Sequence, residues 1–192
     1  MPSRLDDLLA RIAQLERELE LELGAKQRQW RYQVDARRVR FERDVQVAHR
    51  RLKQSIPAFL RQSNPLSLLS APVIYSLIVP IALLDLWITI YQQVCFRLYG
   101  IARVRRSSYI VIDRQHLAYL NVIEKVNCVY CGYGNGVFSY AREVAARTEQ
   151  YWCPIRHAKR VLAPHTHYAE FIDYGDAEGY RKQLPVLRNK LK

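Results

Sequence analysis

Residues 66–95, LSLLSAPVIYSLIVPIALLDLWITIYQQVC, decide the predicted fold, because Asp85 is the only formal charge among these thirty residues. A helix of this length and composition can cross the hydrocarbon core of a bilayer. Aromatic rings of the kind that lie at membrane interfaces occur along or just after it, at Tyr75, Trp87, Tyr91 and Tyr99. A buried core helix of a soluble protein, the alternative, is usually shorter and more amphipathic. The sequence therefore predicts a membrane helix.

The orientation of this helix is less well defined, because basic residues flank both of its ends. A re-entrant hairpin that breaks at Pro80 and returns to the same side would explain this symmetry. A single span is favoured because each half, about fifteen residues long, is too short to cross alone. Four interpretations of Asp85 are open: it pairs with an arginine of another helix, it carries protons, it lies near the polar interface, or it is protonated and hydrogen-bonded to a neighbour.

Positive charge dominates the chain, whose formal net charge is +12, and it gathers before the apolar segment. Residues 1–24 hold three Arg against six Asp or Glu, whereas residues 25–65 hold eleven Lys or Arg against three Asp or Glu. A basic stretch beside a membrane helix is typical of contact with anionic lipid, and the solvated face of a coiled coil is the alternative. No base-stacking aromatic pattern accompanies these charges, so nucleic acid is not the predicted partner.

The N-terminal region, residues 1–62, has the pattern of a long coiled-coil helix. Ser3 and Asp6 resemble a capping box, and apolar residues then recur every three or four positions, with a shift that predicts a break or offset near Gly24. Such a rod cannot bury its own apolar positions. We therefore expect a homo-oligomer formed through the coiled coil, in preference to a helix folded back at Gly24. Residues 63–99 follow as linker and membrane helix.

Residues 100–192 are predicted to form a small cytoplasmic α+β domain, within a chain that is mainly α. The β-branched run YIVIDR, residues 109–114, predicts a short strand. A helix then leads to Cys128, a glycine-rich turn follows, and residues 137–152 form a second helix. Four cysteines are too few for a secreted disulfide scaffold, and this favours a reducing compartment such as the bacterial cytoplasm, beside the inner membrane.

The predicted metal site combines Cys128, Cys131, Cys153 and His157. The first two cysteines precede Gly132 as in a zinc knuckle, and 21 residues lie between them and the Cys-x-x-x-His pair. Three thiolates and one imidazole suit a tetrahedral zinc ion, which would stabilise a small domain. The same ligands could hold iron, the cysteines could form a dithiol redox pair, or all could be unmetallated core residues.

Other reactive side chains carry weaker predictions. Cys95, at the membrane boundary, is interpreted as a packing residue or an acylation site. His165 and His167 lie on alternate positions, where they either neighbour the metal site or belong to a surface loop. No phosphate-binding loop, nucleophile elbow or HExxH motif occurs, so the sequence does not indicate an enzyme. A membrane-anchored scaffold or adaptor with a structural zinc is the predicted function, and a membrane-associated redox protein is the alternative.

Residues 119–158, YLNVIEKVNCVYCGYGNGVFSYAREVAARTEQYWCPIRHA, resemble an uncharacterised family of bacterial membrane-anchored proteins. In that family the Cys-x-x-Cys-Gly knuckle occurs together with AARTEQYWCPI and the histidine. The resemblance continues upstream through the apolar segment. It implies a shared fold and supports the three cysteines and His157 as one unit, but it implies no activity.

Overall fold

The computed structural model describes residues 4–29, 32–35 and 38–192, and these residues are mainly helical. The chain divides into two compact units. The first contains Met1–Arg61 and Asp113–Lys125, and the second contains Gln62–Ile112 and Val126–Lys192.

In the first unit, the predicted continuous rod is wrong. Helix α1, Arg4–Gln29, runs through Gly24 without a break, and an antiparallel hairpin then follows from β1, Tyr32–Asp35, and β2, Arg38–Phe41. The register pairs Tyr32 with Phe41 and Val34 with Val39. These apolar residues alternate with polar ones, and a period of two favours a strand. The sequence prediction had fitted the same region to the three- or four-residue spacing of a helix. Ser3 lies outside the described residues, so its predicted cap does too.

Two short helices complete the N-terminal part of this unit. Helix α2 spans Arg43–Arg51 and helix α3 spans Ile56–Gln62, whose last residue belongs to the second unit. The His49 ring lies edge-on against the Tyr119 ring, with the ring centroids 5.3 Å apart. This contact joins the N-terminal segment to the Asp113–Lys125 segment within one unit.

The second unit is organised around a long helix, Pro65–Tyr99, which we call the apolar helix. It comprises α4, Pro65–Ser76, α5, Ile78–Tyr91, a π-helical turn, Gln92–Phe96, and α6, Arg97–Tyr99. The Asn64 side chain caps its start by accepting the Leu66 N–H at 2.9 Å, with proline at the first position. Gly100 ends it with a left-handed φ of 69°.

Residues 101–121, here called the connector, lead to the next long helix without a strand, so the strand predicted at residues 109–114 is wrong. The connector contains two 3₁₀ turns, Arg106–Ser108 and Arg114–His116. A strand requires a hydrogen-bonded neighbour, and here the backbone of Tyr109 and Ile110 packs against a helix at Gly136 instead.

That helix, α7, spans Val122–Trp152 and includes the whole Cys-x-x-Cys-Gly segment. Asn121 and Glu124 form a capping box: the Asn121 Oδ1 accepts the Glu124 N–H at 3.0 Å, and the Glu124 Oε2 accepts the Asn121 N–H at 2.8 Å. The predicted glycine turn is therefore wrong. Gly132, Gly134 and Gly136 are buried inside the helix, and at Gly136 the lack of a side chain permits the close approach of Ile110.

The C-terminal residues add a 3₁₀ turn, Thr166–Glu170, and helix α8, Ala177–Asn189. Within residues 100–192, all of which are described, one isolated bridge between Ile155 and Ile172 is the only β pairing. The predicted α+β metal-knuckle domain is therefore wrong, because the core is built from helices and irregular segments. It contains Phe96, Ile101, Val104, Tyr140, Val144 and Leu191.

Candidate functional site

The apolar helix has its polarity reversed relative to a helix of a water-soluble protein. Its exposed side includes Leu66, Leu69, Val73, Leu83, Trp87, Ile90, Val94 and Leu98, here called the outer stripe. Its buried positions are Ile81, Asp85, Gln92 and Phe96, so two of the four are polar. In water the apolar residues of a helix face the core. The reversed arrangement is typical of a helix whose outer side contacts lipid.

Asp85 is neutralised on the inner side of this helix by groups from two other segments. The Arg106 guanidinium of the connector donates to both carboxylate oxygens, from Nε at 2.8 Å and from Nη2 at 2.5 Å. The Tyr133 hydroxyl of α7 donates to Oδ2 at 2.9 Å. The Asp85 side chain is 10% exposed, whereas that of Arg106 is 45% exposed. The cluster ties three segments together and satisfies a charge that would otherwise be costly to bury.

Gln92 performs a similar role about two turns beyond Asp85, without a charge. Its Oε1 accepts the Val104 N–H at 3.0 Å, and its Nε2 donates to the Val104 carbonyl at 3.3 Å and to the Tyr140 hydroxyl. The side-chain amide thereby replaces the strand neighbour that the connector backbone lacks. Arg106, Tyr133 and Gln92 were not predicted as site residues, although an arginine partner was one of the interpretations of Asp85.

Further hydrogen bonds join the apolar helix to α7 along its length. The Tyr75 hydroxyl donates to the Asn127 side chain, and the Tyr130 hydroxyl donates to the Ile74 carbonyl at 2.7 Å. Towards the other end, the Tyr91 hydroxyl lies 3.0 Å from the Thr148 hydroxyl. Tyr75 and Tyr91 of the apolar helix therefore find hydrogen-bond partners on its protein side.

The predicted metal ligands do not come together in this structure. Cys128 and Cys131 lie one turn apart within α7, whereas Cys153 follows the end of that helix. At 1.5 Å per residue, Cys131 and Cys153 are separated by about 33 Å along the axis. His157 is exposed and stacks on the Tyr168 ring. Within the described part of the chain, no three His, Cys, Asp or Glu side chains form a group that could hold a metal.

The four residues thus do not fit one tetrahedral zinc or iron site in this conformation, and metal binding stays a prediction from the sequence.

Cys131 lines an apolar groove of about 420 Å³ between the apolar helix and α7. Burial, together with nearby Glu149, raises the pKa of the Cys153 thiol above its ordinary value. A raised pKa reduces the fraction of this thiol that is present as thiolate.

His165 and His167 hold the loop after Cys153 against α7. The His165 Nε2 lies 2.9 Å from a Glu149 carboxylate oxygen, and the His167 Nε2 lies 3.2 Å from Glu143. Burial opposes ionisation of Glu143, but hydrogen bonds from Arg147 and His167 outweigh it and lower the pKa of this carboxyl. These pairs position a surface segment, and they lie apart from the predicted Cys128 and Cys131 pair.

Comparison of the chain with protein-family models, with curated proteins and with solved structures finds no match. The resemblance of residues 119–158 to a bacterial membrane-anchored family therefore stays a prediction. Within the described residues, one helix, Pro65–Tyr99, is long and apolar enough to cross a membrane.

Proposed function

We propose that this protein is a membrane-anchored scaffold or adaptor, held to the bilayer by the apolar helix. The observation that carries the proposal is the reversed polarity of that helix, whose outer stripe is apolar while Asp85 and Gln92 are buried. The helical residues on its inner side form the part that is presented to water. Among the residues that the structure describes, we find no cluster of catalytic side chains that supports an enzymatic role more strongly.

Basic residues support contact with anionic lipid, and exposed leucines support pairing of two copies of the chain. Basic residues before and after the apolar helix would contact anionic lipid headgroups, each contributing about 1 kcal/mol near the surface. On α1, Leu15, Leu19 and Leu23 recur every four residues and are exposed. Such a row favours pairing with a second copy of the chain, although α1 is shorter than the predicted rod.

The proposed location is the bacterial inner membrane, with the C-terminal residues in the cytoplasm. Cys95, Cys128, Cys131 and Cys153 are all free thiols. Free thiols, two of them exposed, fit a reducing compartment.

Membrane extraction tests the anchor. We expect the full chain, expressed in bacteria, to sediment with membranes, to resist high salt and alkaline carbonate, and to dissolve in mild detergent. Resistance follows because the outer stripe buries apolar side chains in lipid, which salt does not displace. Release by salt alone would mean that the basic residues hold the protein at the surface, and would contradict an apolar anchor.

A further inference from the structure

We infer that the apolar helix lies in the plane of one leaflet, with its outer stripe among the acyl chains, instead of crossing the bilayer. The inference rests on the proposed membrane anchoring and deepens it by naming the surface and its partner. It differs from the single span that the sequence favours. Three independent observations carry it: the length of the stripe, the segments packed on the inner side, and the charges at both ends.

The outer stripe is too long for the hydrocarbon core. It extends from Leu66 to Leu98, and both of these end residues are more than 70% exposed. At 1.5 Å per residue this is about 48 Å of helix, whereas the hydrocarbon core is about 30 Å thick. A helix that crosses upright would leave about a third of the stripe outside the hydrocarbon core, among the polar headgroups and in water. A helix in the membrane plane places the whole stripe in contact with lipid.

The segments packed on the inner side cannot enter hydrocarbon. The connector carries Arg103, Arg105 and Arg106 on an irregular backbone, and Arg106 reaches Asp85, well inside the apolar helix. An upright helix would carry this charged, non-helical segment into the bilayer, where lipid-exposed irregular backbone is not tolerated. The Arg106 side chain is 45% exposed, and lipid would then replace the water around it. When the apolar helix lies in the membrane plane, its inner side and the connector packed there face water.

Charges near both ends of the helix fit contact with a single leaflet. Arg61 precedes the helix, whereas Arg97 and Arg103 are near its other end, and all three are exposed. Cations at the two ends of a helix in the plane can reach anionic headgroups of the same surface. Trp87, which is 71% exposed, then lies at the boundary between headgroups and acyl chains, where tryptophan is favoured. The chain before Pro65 and the chain after Tyr99 remain on the same side.

Depth measurement distinguishes the two orientations. Spin labels are attached to single cysteines at Leu66, Leu83 and Leu98 in the full chain, after the four native cysteines are replaced by serine. The protein is reconstituted in nanodiscs that contain phosphatidylglycerol, and each depth is measured from accessibility to oxygen and to a polar nickel complex. Gln183, exposed on α8, serves as the label that stays in water. Circular dichroism confirms that every variant keeps its helices.

We expect the three stripe labels to lie at one shallow depth, about 5–10 Å below the headgroups. Equal depth follows because they share one side of a helix parallel to the surface. A label at Leu83 near the bilayer centre, with those at Leu66 and Leu98 at opposite interfaces, would overturn the inference and support a span. Labels that all remain in water would refute the membrane anchor itself, and the inference with it.

Discussion

The substitution Gly136→Ala is expected to lower the free energy of unfolding by about 2 kcal/mol, because α7 and the connector touch at this residue. A Cβ atom at Gly136 would lie 2.8 Å from the Ile110 Cα and 2.9 Å from the Tyr109 carbonyl oxygen. Backbone atoms cannot rotate away as a side chain does. The better helix propensity of alanine, about 1 kcal/mol, offsets only part of this cost. Thermal unfolding of the detergent-solubilised protein measures the effect.

Gly134→Ala is the matched control, two residues away in the same helix. The closest atom to its added Cβ is the Ile81 Cδ1 at 3.5 Å, an ordinary contact with a flexible side chain. We therefore expect the free energy of unfolding of this variant to equal that of the native protein or to exceed it by up to about 1 kcal/mol. Its unfolding temperature should then be the same or higher. Equal destabilisation by both alanines would show that the connector does not pack against α7 as described.

Arg106→Met is expected to destabilise the fold by about 3 kcal/mol, since it leaves the buried Asp85 carboxylate with Tyr133 as its remaining donor. The methionine keeps most of the side-chain volume, so the loss reports the missing charge and hydrogen bonds. Unfolding at neutral pH, in the same detergent as the native protein, measures it. Arg105→Met, next to it on the exposed surface, serves as a control with a small expected effect.

The double variant Asp85→Leu with Arg106→Met separates the charge from the packing. With both charges replaced, no carboxylate is left without its partner, so we expect this protein to be more stable than Arg106→Met alone. Additive losses from the two single substitutions would mean that the ion pair does not couple the connector to the apolar helix. That result would remove the main polar link between these segments.

The apolar helix was predictable because composition alone determines it. Thirty residues with one charge predict a helix that is long and apolar enough to cross a membrane, and the structure has such a helix at Pro65–Tyr99. Pro65 and Gly100 mark its ends in the structure, whereas the sequence prediction had assigned Pro65 to a linker and had not used Gly100. An arginine of another helix was one of several alternatives for Asp85, and in the structure the arginine comes from the connector instead.

The glycine-rich segment was misread because one residue type serves two physical purposes. Glycine adopts left-handed turns, as at Gly100, but it also lets two backbones approach, as at Gly136. Only the position of Ile110, a tertiary contact, distinguishes these uses. Since Cys128 and Cys131 were placed on the supposed turn, the predicted ligand set depended on it. The hairpin at residues 32–41 was missed for a related reason, because its apolar spacing also fits a helix.

Flotation of the newly made protein with liposomes tests the membrane anchor most directly. The full chain is synthesised in a cell-free system with phosphatidylglycerol-containing liposomes and centrifuged through a density gradient. A variant with Leu69, Leu83 and Val94 replaced by glutamine changes the outer stripe only. A control variant carries glutamine at Leu15, Leu19 and Leu23, which are equally exposed on α1.

The account predicts that the native protein and the α1 control float with the lipid, whereas the stripe variant stays at the bottom of the gradient. Burial of three leucine or valine side chains in lipid stabilises the membrane-bound protein by about 5 kcal/mol, so their replacement is expected to abolish flotation. Flotation of all three proteins to the same extent, or of none, would contradict the claim that the outer stripe of Pro65–Tyr99 anchors this protein to a membrane.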